Sequence, residues 1–182
     1  MVSMGGQSNS RPKQDVSGES APEASSHART LAKLVRGKNI HEETLLATDY
    51  LNHFNEVIML IGMIPDMPDC LEDAKGWKPK TYEDHFRDSA FVDKDLAILA
   101  YENAPARFRE PFDATIVHMN DMVAEGILRI EEVLGEGNPD KLADLVLNIS
   151  RNLQRFVDAA SAIIHGAERA MDQTEIDNML LS

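Results

Sequence analysis

Three histidines each precede an acid by three residues: His53 and Glu56, His118 and Asp121, His165 and Glu168. Helical proteins that bind metals in their cores pair carboxylates with imidazoles at this interval, but in the order Glu-x-x-His, the reverse of what stands here. On helices the three rings also fall on different faces. His53 lies inside an apolar stripe, His118 sits beside Met119 at the edge of another, and His165 is about 200° around the helix from Ile163. Ligands that cannot converge make no centre, so these residues are expected to be core or solvated histidines, with no metal and no cofactor. The single cysteine, Cys70, is followed by Leu71 and Glu72 in an acidic stretch, a poor setting for a nucleophilic thiolate. No glycine-rich phosphate loop, G-x-S-x-G elbow or cysteine pair is present.

A more specific polar pattern lies near the end of the chain. Asp144, Asn148, Arg151, Asn152 and Arg155 follow one another at spacings of four, three, one and three, flanking an apolar stripe. An acid followed four residues later by an amide occupies one helical face. Such a pair can orient a water with the amide while the acid engages a neighbouring cation. Asp144 and Asn148 are therefore the candidate catalytic residues. The competing reading of the same stripe is an ordinary solvated face.

The elements that must position these groups are helical. Of the 182 residues, 43% are hydrophobic but only 5% aromatic, which favours an aliphatic, Met-rich helical core over a sheet. The expected fold class is all-α: an antiparallel helical bundle of about four elements with a disordered N-terminal tail and a short C-terminal helix. Residues 1–26 contain seven Ser and little to bury, and are expected to be disordered. Residues 27–40 read as a short basic amphipathic helix with Gly37 at its C-cap, and a linker. The bundle is expected over 41–171. Its first long helix should run from about His41 to Ile64, where Pro65 ends it. A long, partly helical connection over 65–91 follows, with a short helix near Thr81–Asp88. Asp93 can cap a helix over 94–103, and another helix begins near Ala106 or Pro111 and ends at Gly135. Gly135 and Gly137 stop it, and Asn138 with Pro139 starts the next. That last helix should continue to about Ala170 on the stripe Leu142, Leu145, Ile149, Leu153, Phe156, Ala160, Ile163, Ala167, Met171. The short loop between them makes the last two helices a hairpin.

The net charge of −13 is unevenly spread, with six Lys and Arg against three Asp and Glu in residues 1–40, and 12 against 28 in the remainder. An acidic body of this kind repels a nucleic-acid backbone. No apolar run approaches the roughly 18 residues of a membrane span, and the first residues lack a secretory signal. With one Cys, the expected setting is the cytoplasm. A homodimer is an open expectation, because helical hairpins with long apolar stripes often pair.

The chain ends in MDQTEIDNMLLS. As a helix, residues 173–181 place Ile176, Met179 and Leu180 on one apolar face, flanked by Glu175 and Asp177: a helix-in-groove anchor with acids to steer it onto a basic partner. The run Gln173-Thr174-Glu175-Ile176-Asp177-Asn178-Met179-Leu180 resembles the peptide by which the CheZ family of chemotaxis phosphatases, and the flagellar switch protein FliM, grip the response regulator CheY. The resemblance implies that Ile176, Met179 and Leu180 are anchors and that Glu175 and Asp177 meet the regulator's basic face. The CheZ family is also an acidic, cytoplasmic, helical-bundle family with a long hairpin. It carries a catalytic Gln four residues after an acid, where this chain has Asn148 after Asp144. The expected function is thus binding of a CheY-like regulator in chemotaxis or flagellar motility, with a dephosphorylating activity as its catalytic form. The alternatives are a structural or assembly bundle whose last helix packs on its own core, and a helical metal or redox protein.

Overall fold

The computed structural model describes residues 21–167, and all regular structure among them is helical. Seven α-helices follow in order: α1 (Ala21–Leu34), α2 (Asn52–Met63), α3 (Cys70–Gly76), α4 (Tyr82–Asp88), α5 (Lys94–Glu102), α6 (Ala106–Gly135) and α7 (Pro139–Ile164), with a 3₁₀ turn at Thr48–Leu51 before α2. The all-α bundle class holds. α6 and α7 are its long antiparallel pair, α2 packs on α7, α3 packs on α6, and α4 packs on α5. No helix among the described residues is long and apolar enough to cross a membrane. The expected disordered tail lies outside the described residues up to position 20, while 21–26 form the start of α1.

The hairpin forms where the residue pattern demands. The Asn138 side chain accepts a hydrogen bond from the Lys141 backbone N–H at 3.1 Å, and Pro139 opens α7. Gly137 supplies the positive φ of the turn. Along the seam Gly126 lies against Ile149 so closely that an added Cβ would meet Ile149 Cγ2 at 3.1 Å. Ile130, Leu153, Phe156 and Ala160 are fully buried beside it. Pro111 sits inside α6 and removes one backbone donor. The Thr115 hydroxyl donates to the Pro111 carbonyl at 2.8 Å.

Two boundaries differ from the sequence reading, each for a local reason. The expected helix over 41–64 is helical only from Thr48. Before it, Leu45 takes φ +60 and the segment folds over the end of α7, where the buried Thr44 hydroxyl donates to the Ile164 carbonyl at 2.6 Å. A side-chain donor thus satisfies one of the carbonyls that a helix C-terminus leaves open. At that same end, α7 stops at Ile164 rather than near Ala170. Gly166 has φ +99, its N–H donates to the Ile163 carbonyl at 3.0 Å, and the Ala167 N–H donates to the Ala162 carbonyl at 2.9 Å. This is a Schellman stop with glycine in the left-handed position.

The connection over 65–91 is a strap of aromatic side chains. Trp77 stacks on His53 at 4.5 Å between ring centroids and donates its indole N–H to the His53 carbonyl at 3.0 Å. The His53 Nε2 meets the Lys78 carbonyl at 2.9 Å, an arrangement that makes it the protonated nitrogen. α3, absent from the sequence expectation as a defined helix, buries Cys70, Leu71 and Ala74. Thr81 caps α4 by accepting from the Asp84 N–H at 3.1 Å. Asp93 precedes α5 as expected but makes no side-chain cap; its carboxylate takes the Lys38 ammonium at 2.8 Å instead.

Two measurements test this packing. Gly126→Val should destabilise the fold by roughly 1–3 kcal/mol through overpacking against Ile149, whereas Gly62→Ala, in a helix position with open space around it, should stabilise by about 0.5 kcal/mol; urea unfolding reads both. Burial holds the His53 and His85 imidazoles below their ordinary value, although the carbonyls of Lys78 and Asp49 pull the other way. A depressed folded pKa gives stability that is full above the unfolded value of about 6.5 and is lost as pH falls through the folded value. Unfolding free energy should therefore be level from pH 7 to 8 and fall below about pH 6.5, with a shallower fall in the His53→Gln, His85→Gln variant.

Candidate functional site

The turn from α6 to α7 and the Asn138 cap set where the first turns of α7 project. One and two turns into the helix, Asp144 and Asn148 stand exposed on one face. They line an open groove of about 450 Å³ formed only by α6, α7 and the end of the turn between them. Arg129, Glu132 and Glu136 face them from the α6 side. The floor is apolar, with Val133 buried and Leu145 half-buried. Lys141 closes one end by pairing with Glu136 at 2.6 Å. The structure thus brings the two candidate catalytic residues into one groove. Arg151 and Arg155 continue the polar band as exposed residues, and Asn152 is half-buried between them.

The chemistry available there is that of a surface groove. An exposed carboxylate and an amide one turn apart can engage a cation and a water brought by a partner. An amide carries no titratable proton, so Asn148 can act there only by hydrogen bonding. The partner-binding residues Glu175, Ile176, Asp177, Met179 and Leu180 lie outside the described residues. The histidines are dispersed: His53 is in the core, His118 stacks on Phe156 at 6.3 Å, and His165 caps α7 with its ring 5.8 Å from that of His41. Among the described residues no group of three or more His, Cys, Asp or Glu is arranged to hold a metal ion. Cys70 is buried at the start of α3.

A second constellation was not anticipated. All three tyrosines of the chain converge between α4, α5 and α6. Tyr82 and Tyr101 stack at 4.3 Å with an interplanar angle of 12°, and Tyr50 lies 5.2 Å from Tyr82. Their hydroxyls are engaged: Tyr50 donates to the Lys80 carbonyl at 2.8 Å, Tyr82 accepts from the Ala47 N–H at 2.8 Å, and Tyr101 donates to the Asp113 carboxylate at 2.9 Å. Burial raises all three phenols above their ordinary range. Burial also raises Asp113, against the pull of the Tyr101 hydrogen bond and of Arg109. The only signal in the sequence was the presence of Asp113 one residue beyond Phe112, on the flank of the α6 stripe.

Comparison with protein families, with curated proteins and with solved structures finds no match to this chain.

The cap and the groove separate experimentally. Asn138→Ala should cost about 1 kcal/mol by removing the N-cap of α7. Asp144→Ala, a change at an exposed side chain, should leave stability within about 0.5 kcal/mol. Thermal or urea unfolding of the two variants checks both.

Proposed function

We propose that this chain is a cytoplasmic regulatory protein of chemotaxis or motility signalling that binds a CheY-like response regulator through residues 172–182. The observation that carries the proposal is the run from Gln173 to Leu180, with its resemblance to the CheY-gripping peptide of the CheZ and FliM families. Two features of the fold support it. Ile163 and Ile164 are buried at the end of α7, and the Schellman stop at Gly166 ends that helix ahead of residues 172–182. The groove of Asp144 and Asn148 stays open on the same helix that leads to the tail.

The distances permit one regulator to meet both. Asn148 lies about sixteen residues from the end of α7, roughly 24 Å along the helix. Ile176 is about ten residues beyond Gly166, a reach of up to roughly 33 Å when extended. A tail that holds the regulator raises its effective concentration at the groove. There Asn148 would place the attacking water, and Asp144 would engage the regulator's active-site cation.

The test is a titration of a labelled 168–182 peptide against CheY-like regulators of the same cell, with and without a phosphoryl mimic. Micromolar binding that tightens with the mimic and is lost in Ile176→Ala is expected. Deleting 173–182 from the full chain should abolish that binding and leave unfolding stability unchanged; a loss of 1 kcal/mol or more would instead make the tail a part of the core and the protein a structural bundle. The catalytic form adds one expectation: the full chain accelerates decay of the phosphorylated regulator, and Asn148→Ala removes the acceleration. Unchanged decay in that variant would leave binding without catalysis.

A further inference from the structure

Three methionines stand along the outer side of α2. Met59 and Met63 are one turn apart, and Met67 lies one turn further, where its backbone N–H donates to the Met63 carbonyl at 2.8 Å and carries the helical repeat past the end of the helix. Side chains at this spacing share one helical face. Met59 is 59% exposed and Met67 52%, while Met63 between them is half-buried and packs on the core. At Gly62, beside Met59 and Met63, an added Cβ would meet no atom within 4 Å, so nothing among the described residues roofs the stripe there.

The other two methionines of the described residues sit on the core side of α6. Met119 is fully buried and Met122 is 6% exposed. There a flexible thioether fills an irregular space between packed side chains, the usual service of methionine in a core. That reason does not reach Met59 and Met67, each more than half exposed. What a thioether offers in solvent, and a hydrocarbon does not, is a sulfur lone pair open to a two-electron oxidant.

We propose that Met59 and Met67 are modification sites at which hydrogen peroxide oxidises the folded chain, reversibly and without disturbing its core. The sulfur attacks one peroxide oxygen, the S–O bond forms as the O–O bond breaks, and the leaving hydroxide takes up the remaining proton as water. Sulfur loses two electrons and the peroxide gains them. The product, a sulfoxide, is polar, so the outer side of α2 changes from an apolar stripe to a polar one. Both side chains already stand in solvent, and the new oxygen is hydrated where it forms. At Met119 or Met122 the same oxygen would sit in the hairpin core at the cost of an unpaired buried polar group. Met63 falls between the two classes. The exposure that admits the oxidant also admits the sulfoxide reductases, one for each sulfoxide epimer, that return the thioether.

The test treats the full chain with hydrogen peroxide under native conditions, quenches it at intervals and follows the gain of one oxygen at each methionine by peptide mass spectrometry. Met59 and Met67 should convert about tenfold or more faster than Met119 and Met122, with Met63 between them. In urea the five rates should become equal, because the fold alone separates them. When Met59 and Met67 are fully converted, the helical circular dichroism and the urea midpoint should match those of the untreated chain. A mixture of the two epimer-specific reductases should then restore both residues without any denaturant. Equal rates in the folded chain, earlier conversion of Met119 or Met122, a fall in the urea midpoint once Met59 and Met67 are modified, or sulfoxides that the reductases reach only after unfolding would each overturn the proposal.

Discussion

The close approach of α6 and α7 at Gly126 governs the rest of the molecule. With no side chain there, Ile149 can lie against the α6 backbone, and the two long helices meet along one continuous seam. Helix axes in contact sit about 8–10 Å apart, depending on the side chains between them. The seam creates one apolar surface broad enough for α2 to cover the α7 side and α3 the α6 side. It also leaves a groove between the helices whose lining comes from no other α-helix. The core and the candidate site are therefore two products of one contact.

Much of this could be read from residue order, and the places where it could not share a cause. Asn138 and Pro139 announced the start of α7, because capping is a local interaction between neighbours. The 41–47 segment misled because Leu46 continues the apolar spacing of a helix. What bends it is the hydrogen bond from Thr44 to Ile164, a contact across 120 residues that no window of sequence contains. The end of α7 misled differently. Ala167 and Met171 prolong the apolar stripe, so periodicity argued for continuation while Gly166 argued for a stop, and the glycine prevailed. The pairing of Asp144 and Asn148 was legible because four residues on a helix is a fixed geometry. The tyrosine cluster was not, since Tyr50, Tyr82 and Tyr101 meet only after three helices have packed.

The strap between α2 and α5 shows how a domain poor in aromatic residues spends the few it has. The single tryptophan, two of the three tyrosines, Phe86 and Phe91 lie in or beside it, and they pack on one another and on His53, Tyr50 and Phe112. The aliphatic hairpin thus carries an aromatic clasp. Flat rings tied by hydroxyl and indole hydrogen bonds hold the 77–81 segment between α3 and α4 in place.

Gly166 has a consequence for how this protein can change. Rotational phase along α7 runs through every residue from Pro139 to Ile164, so an insertion there would turn buried side chains outward. The left-handed turn at Gly166 breaks that phase. Residues gained or lost just beyond it leave the rotational phase of Pro139–Ile164 unchanged. The register of α7 against α6 is thereby insulated from changes of chain length beyond Gly166.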